Sequence, residues 1–360
     1  MDEAAGNPYW PFLEGSYVDL LENVAQEAIG HGALRDVYRE PEAFVRAGFQ
    51  VLISIPMAVL QGICGASLRA RKGRDEDMYA WLTNNLRKAS GRPSIYMIEF
   101  TDQVGGALRY KDMRRVVGYI RRYASPQSSA DVDLAVEVDQ ASAAYPLTED
   151  DEEAIRAQGH RAWISNAQAR TALLELLDKL DEQITAAIGV DPDDTRRMPF
   201  VMRDVGYTHR GIKRLDEQDL TPSANMIMAV FGAVAKAKEL PYKLYGEFIF
   251  LGFRREHAAL AEVLFSILAQ SYTWTGRGFN SVLAGGSIAS NSQYEEGDWN
   301  LWQADVLRES PIEENARIER ERAQDLEEEV GENERRILVQ QVNVLSRIAK
   351  NVDTAVYNRT

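Results

Sequence analysis

The stretch KDMRRVVGYIRRY at residues 111–123 separates its charges from its apolar side chains around a helical wheel. At about 100° per residue, the arginines and the lysine fall within about 120° of arc, and Met113, Val116, Val117 and Ile120 lie on the other side. A helix of this kind must bury its apolar face against other elements. The spacing therefore predicts an amphipathic helix that presents one cationic face.

Helical periodicity extends to other parts of the chain. Leucines and isoleucines recur at three- and four-residue steps in residues 168–188, and Gly189 with Pro192 supplies a stop. Residues 224–284 carry Ala, Leu, Phe and Met at helical spacing. Only SIYMIEF at residues 94–100 favours a strand, so we expect two or three strands at most. The fold class predicted is mainly α.

The length of 360 residues favours two lobes over one core. Residues 125–148 are rich in Ser, Ala and Asp, which is typical of a mobile loop. We predict a two-lobed helical protein with extended N- and C-terminal arms. Its parts are an N-terminal arm at 1–15, an N-terminal helical lobe at 16–190, a C-terminal helical lobe at 191–304 and an acidic arm at 305–360 that ends in an amphipathic helix.

Two segments have competing interpretations. The uncharged run at residues 47–68 is long enough to span a bilayer, but Pro56 and several polar residues interrupt it, which favours a buried helix pair. The acidic cluster that follows Thr148 resembles a divalent-ion site, but a Thr followed by acids in the next turn is also a helix start. We favour the helix cap.

Residues for catalysis or metal binding are sparse. The sequence contains no phosphate-binding glycine loop, no HExxH and no GxSxG, and its four histidines and single Cys64 lie far apart. One cysteine forms no internal disulfide, and no signal segment opens the chain, so a reducing compartment is expected. We predict a protein that is not an enzyme, has no cofactor or metal, and does not bind a membrane.

The charge is strongly segregated within a net of −14. Residues 61–125 contain thirteen Lys or Arg against six acids, and residues 196–214 contain six against one. Residues 130–153 and 305–334 are acidic. A row of cations one helical turn apart, with basic loops at 69–74 and 206–214, suits the backbone of a single nucleic acid strand. The competing interpretation is a solvated helix face.

Residues 250–274, FLGFRREHAALAEVLFSILAQSYTW, carry the order Phe-Leu-Gly, Arg, His, Leu-Ala, Phe, Leu-Ala, Trp. This stretch resembles nucleoproteins of non-segmented negative-strand RNA viruses of the bornavirus, nyamivirus and mymonavirus kind. Residues 52–73 resemble the apolar Ile-Pro segment of that family and the charged loop that follows it. The residues that carry the resemblance in the stretch 250–274 are Phe250, Leu251, Gly252, Arg255, His257, Leu260, Ala261, Phe265, Leu268, Ala269 and Trp274.

The resemblance implies a virion nucleocapsid protein that clamps single-stranded RNA in a basic cleft between two lobes, in the host cytoplasm or nucleus. It also implies a homo-oligomer formed through terminal arms, with a viral phosphoprotein and polymerase as further partners. We expect Tyr9, Trp10 and Phe12 of the N-terminal arm to be unburied within their own chain. The candidate RNA-binding residues are Arg71, Lys72, Arg74, Lys111, Arg114, Arg115, Arg121, Arg122, Arg210, Lys213, Arg214 and Arg255.

Three alternatives stay open. One is an enzyme with an unfamiliar site, which would require a tight pocket that contains acids of perturbed pKa. A helical coat protein of a filamentous positive-strand RNA virus differs in genome polarity and in whether a polymerase cofactor binds. A helical adaptor or scaffold would bind no nucleic acid at all. The nucleoprotein interpretation requires the candidate cations to gather in one cleft rather than scatter or pair with neighbouring carboxylates.

Overall fold

A computed structural model describes most of the chain and contains thirteen α-helices and three strands within the described residues. The described residues are 7–13, 16–30, 34, 38, 40–65, 67–142, 147–164, 166–189, 194–211, 225–286 and 292–327. The helices are α1 Tyr17–Gly30, α2 Pro41–Leu52, α3 Met57–Cys64, α4 Leu68–Lys72, α5 Glu76–Lys88, α6 Tyr110–Ala124, α7 Ser129–Ser142, α8 Glu149–Gln158, α9 Ala167–Ile188, α10 Met226–Ala237, α11 His257–Leu268, α12 Glu296–Glu309 and α13 Ile312–Glu327. The strands are β1 Ser94–Asp102, β2 Met202–Thr208 and β3 Tyr242–Leu251. The prediction of a mainly α fold is confirmed.

The three strands form one antiparallel sheet in the order β2-β1-β3. The central strand β1 is buried on both faces, because helices cover the sheet from both sides. Ile95 and Met97 enter a first apolar core, and Ile98 and Phe100 enter a second. Alternation along a strand thus divides the protein into two cores.

Each core draws on distant parts of the chain. The first contains side chains of α1–α5 and α11, and the second contains those of α6–α10. The division of cores therefore does not fall at residues 190/191, where the sequence suggested a lobe boundary. The strand that separates the cores is made of residues 94–102, and it lies between β2 and β3 in the sheet.

A buried ion pair joins the sheet to the first core. Arg203 of β2 and Glu99 of β1 lie opposite each other in register, each with a side chain only 3% exposed, with Nη2 2.9 Å from Oε1. The Glu99 carboxylate also accepts the backbone N–H groups of Leu68 and Arg69, both at 2.9 Å, at the start of α4. Arg203 donates to three carbonyls at the end of α3, those of Gly62, Ile63 and Gly65. The pair thus provides hydrogen-bond partners for backbone N–H groups at the start of α4 and for backbone carbonyls at the end of α3, which lack partners within their own helices.

The N-terminal aromatics fold onto their own chain, which corrects the expectation of an unburied arm. Tyr9 is buried and its hydroxyl donates to Glu27 at 2.6 Å. Trp10 and Phe12 are half-buried against the first core. Asn7 donates to the carbonyl of Leu268 at 2.7 Å. The burial of apolar surface and these two hydrogen bonds hold residues 7–13 against the rest of the chain.

The described part of the acidic C-terminal arm, residues 305–327, also packs on its own chain. Asn315 donates to the carbonyls of Ile53 and Ile55, which flank the break between α2 and α3. Glu319 accepts the backbone N–H of Tyr17 at 3.1 Å and so caps the start of α1. The predicted terminal amphipathic helix lies outside the described residues.

Most helix predictions are confirmed. The helix at 168–188 appears as α9, and Gly189 ends it with φ +60°. The apolar run forms α2 and α3, which bend by 113° around Pro56. Thr148 is a helix cap, because its hydroxyl accepts the N–H of Asp151.

Two predictions are wrong. Residues 129–142 form helix α7 rather than a mobile loop, because Leu134, Ala135 and Val138 enter the second core and the acids bind partners on α6 and elsewhere. Residues 224–284 contain the strand β3, which the apolar periodicity did not reveal. Its alternation is weak because residues 248–251 are all buried, on both faces of the strand.

Within the part of the chain that the structure describes, no single helix combines the length and the apolar composition needed to cross a membrane. The helices α2 and α3 have the required length and apolar composition only when they are taken together, and they form a bent pair.

Arg203→Met is expected to lower the free energy of unfolding by about 3–5 kcal/mol, because it leaves Glu99 buried without its cation and three carbonyls without a donor. Urea unfolding measures the change. Arg87→Met is the matched control, since Arg87 is exposed on α5 and its loss should change stability by less than about 0.5 kcal/mol. Equal stability of the two variants would contradict this role for the pair.

Candidate nucleic-acid interface

Helix α6 matches the amphipathic pattern from which the site was predicted. Its apolar side chains Met113, Val116, Val117 and Ile120 are buried in the second core. The helix lies against α7, α9 and α10. Its cationic side therefore faces outward between α7 and α9.

The C-terminal cations of α6 bind neighbouring helices. Arg121 contacts Asp178 at 2.6 Å and Asp181 at 2.7 Å, both on α9. Arg122 contacts Asp131 of α7 at 2.5 Å. Burial lowers the pKa of Arg121, but the hydrogen bonds that it donates to these two carboxylates outweigh burial and hold the pKa above its usual value. These two arginines are better explained as links between helices than as contacts for RNA.

The N-terminal cations of α6 have looser surroundings. Arg114 donates to the carbonyl of Gly189 at 2.8 Å. Arg115 is 53% exposed and lies 3.9 Å from Asp112, whose carboxylate accepts the Tyr242 hydroxyl. Lys111 is half-buried and forms no ion pair within the described residues.

A short antiparallel ribbon brings the two basic parts of the sequence together. Tyr110 N–H donates to Arg196 O, Met198 N–H donates to Leu108 O, and Arg109 pairs with Arg197 across the ribbon. The first basic region therefore touches the start of the second. Arg196 pairs with Asp194 at 2.6 Å and Arg197 with Asp102 at 2.7 Å.

The turn after β1 continues this surface to α4. A Cβ at Gly105 would collide with Ala70 of α4, and one at Gly106 would collide with the guanidinium of Arg197, so the turn lies against both. Gly105 also has φ +84°, which favours glycine. Beside it, Arg69 lies 3.5 Å from the Tyr245 ring centroid, and Lys72 pairs with Glu247 at 2.6 Å.

We call this surface the basic edge. It surrounds the end of β1 at Asp102 and includes Lys243, which is exposed on β3 opposite Thr101. Four carboxylates pair with its cations, namely Asp102, Asp112, Asp194 and Glu247. Its nine cations are Arg69, Lys72, Arg109, Lys111, Arg114, Arg115, Arg196, Arg197 and Lys243. An excess of positive charge thus gathers here in a chain of net charge −14.

The remaining candidates lie elsewhere. Arg210 follows β2 and Arg255 follows β3, and both strands end beside Ser94 at the start of β1. A nine-residue strand separates that end from the basic edge by roughly 25–30 Å. Lys213 and Arg214 lie outside the described residues.

Residues 69–72 of the predicted loop at 69–74 belong to helix α4, which corrects that prediction, and two further candidates lie on this helix or directly after it. Arg71 donates to Gln61 at 2.9 Å and lies 5.3 Å from the Trp10 ring centroid. Arg74 is exposed in the turn after α4. The candidates therefore do not form one cleft. Five of the nine cations of the basic edge were not selected from the sequence, namely Arg69, Arg109, Arg196, Arg197 and Lys243.

Two buried titratable groups, His257 and Cys64, are uncharged at neutral pH. His257 packs against Phe253, 4.6 Å between ring centroids, and burial lowers its pKa to about 3, so it is a neutral core residue. Burial raises the pKa of Cys64 to about 12, which leaves the thiol protonated. Among the described residues no group of three or more His, Cys, Asp or Glu is arranged to hold a metal ion.

Comparison with known proteins gave no match, whether to protein-family models, to curated proteins or to solved structures. The resemblance to viral nucleoproteins therefore rests on the residues quoted from the sequence.

Arg121→Glu is expected to lower the free energy of unfolding by about 1 kcal/mol, a value reduced by solvent screening of the pair, because it sets a third carboxylate beside Asp178 and Asp181. Thermal unfolding measures the change as a lower Tm. Arg109→Glu serves as the matched control and should leave Tm nearly unchanged, since no carboxylate of the described residues pairs with Arg109. A larger fall in Tm for the control would contradict the structural role of Arg121.

Glu262 makes the stability depend on pH. Burial raises the pKa of this carboxyl to about 7, although the N–H of Gly285 donates to it at 3.0 Å. The folded state then holds a proton that the unfolded state releases, so stability falls as pH rises from about 4.5 to 7. Glu262→Gln is expected to remove most of that fall and to be more stable than the wild type at pH 8, by on the order of 3 kcal/mol. Urea unfolding at pH 5 and pH 8 measures the change. An equal loss of stability between these two pH values in both proteins would contradict the role of Glu262.

Proposed function

We propose that this chain binds single-stranded RNA through phosphate contacts at the basic edge, without catalysis, as a viral-type nucleoprotein. The observation that supports the proposal most directly is the gathering of nine cations from residues 69–115, 196–197 and 243 around one end of β1. Arg109, Lys111 and Lys243 have no ion-pair partner among the described residues, which leaves them available to an anion. Phosphates are the anions that such a row of cations suits.

The proposal differs in location from a cleft between two sequence-defined lobes. Arg121 and Arg122 bind carboxylates, and Arg210 and Arg255 lie at the far end of the sheet. We therefore expect the contacts to the RNA backbone to centre on α6, on the ribbon of residues 108–111 and 194–198, and on α4. Contacts of this kind carry little sequence preference.

Self-association belongs to the same proposal. Residues 7–13 are already packed on their own chain, so they supply no free arm. The apolar positions of residues 338–349 fall outside the described part and would carry the contact to a second copy. A phosphoprotein and a polymerase remain partners suggested by the resemblance.

A helical adaptor without nucleic acid is the second candidate, and one observation favours it. Lys72, Arg121 and Arg122 each already pair with a carboxylate of the same chain, as in a surface stabilised by its own ion pairs. The two functions differ in salt response. An RNA coat releases its strand steeply as salt rises, whereas an adaptor retains no strand even at low salt.

The test uses a fluorescently labelled oligouridylate and binding measured by anisotropy at several salt concentrations. Neutralising Arg109, Lys111 and Lys243 to Gln should lower the affinity at least tenfold and reduce the slope of log affinity against log salt by about 1 per residue.

The matched control neutralises three exposed cations elsewhere, Arg46, Arg87 and Lys236, with the same change in net charge. It should reduce affinity far less. The proposal fails if the wild type binds no RNA at about 50 mM salt, or if the control variant loses as much affinity as the edge variant.

A further inference from the structure

Trp274 presents an aromatic face to solvent. Its side chain is 43% exposed, whereas Tyr272 beneath it is fully buried. The two rings are stacked, with centroids 4.1 Å apart and planes inclined by 11°. One face of the indole is therefore occupied and the opposite face is open.

The backbone that carries Trp274 is tightly fixed. Residues Thr273–Thr275 form a 3-10 turn that ends at Gly276, with φ +70°. Lys179 of α9 donates to the Trp274 carbonyl at 2.6 Å and Gln183 donates to the Thr275 carbonyl at 3.2 Å. A large apolar ring held rigidly in water loses little entropy when a flat ligand stacks on it.

Helix α9 connects Trp274 to the basic edge. Lys179, in the middle of this helix, donates to the Trp274 carbonyl. At the C-terminal end of the helix the carbonyls of Ala187 and Gly189 accept hydrogen bonds from Arg196 and Arg114. Ten residues of helix separate the two contacts, about 15 Å. A few nucleotides of an extended strand span that distance.

We propose that Trp274 stacks an unpaired nucleobase of the strand whose phosphates the basic edge binds; this rests on the proposed function. Lys179 and Gln183, which donate to the carbonyls of Trp274 and Thr275, give its surroundings a polar and partly cationic character. Such neighbours suit a nucleotide better than an apolar protein surface. Stacking on an open indole face is tolerant of base identity.

The competing occupant is a protein partner on a wider apolar patch. Val282 and Leu283 are 72% and 48% exposed, and the N–H of Ala284 next to them reaches the Tyr272 hydroxyl at 3.4 Å. A protein partner would use these side chains together with Trp274, whereas a base needs only the ring.

The experiment measures anisotropy with two labelled probes of equal phosphate number, an oligouridylate and its abasic ribose-phosphate analogue. Trp274→Leu keeps an apolar contact with Tyr272 but removes the aromatic face. Trp274→Phe keeps a smaller aromatic face. We expect Trp274→Leu to weaken oligouridylate binding roughly tenfold and to leave abasic binding unchanged, with Trp274→Phe in between. The double variant Val282→Ser, Leu283→Ser should bind both probes like the wild type.

The other results separate the two proposals. If the wild type binds both probes in a salt-dependent way and Trp274→Leu changes neither or both equally, stacking is wrong and phosphate binding stands. If the double variant loses oligouridylate binding as much as Trp274→Leu does, the patch acts as a whole and stacking on Trp274 is wrong. If the wild type binds neither probe, both proposals are wrong. Near-ultraviolet circular dichroism checks the fold of each variant, and Trp274→Phe tests the proposal if Trp274→Leu unfolds.

Discussion

The buried pair of Glu99 and Arg203 is the contact on which the first core and the basic edge both depend. A strand buried on two faces leaves no water for a charged side chain, so each of these charges needs complete pairing. The helix ends of α3 and α4 supply it, with N–H groups for the carboxylate and carbonyls for the guanidinium. The pair thereby fixes α4 against the sheet and beside the turn at residues 103–106.

The position of α4 explains why cations accumulate at one end of β1. Residues 69–72 are held there by Glu99, and residues 108–111 leave the same end of the strand and pair with residues 194–198. Mutual repulsion among nine cations is moderated by four carboxylates and by aromatic faces such as Tyr245. An acidic protein can still attract a polyanion if its cations share one surface.

Local patterns predicted much of the fold and little of the site. The helices at 111–123 and 168–188 follow from periodicity, because one face of each must be buried. The strand at 94–100 follows from its β-branched and aromatic residues. Helix α7 was missed because its buried face contains only three apolar side chains and its acids resemble loop composition. The partners of Arg121 lie 57 and 60 residues away, and Arg109 meets Arg197 only across the folded ribbon. No spacing in the sequence encodes such pairings.

The cap that Glu319 places on α1 has a consequence for biosynthesis. The two groups are 302 residues apart, so the first helix receives this hydrogen bond only after residue 319 has left the ribosome. Asn315 and Ile53 are separated by 262 residues in the same way. Contacts of such long range slow the completion of folding and leave early segments exposed during translation. The first core of a nascent chain is therefore incomplete, and open to chaperones, until translation reaches α13.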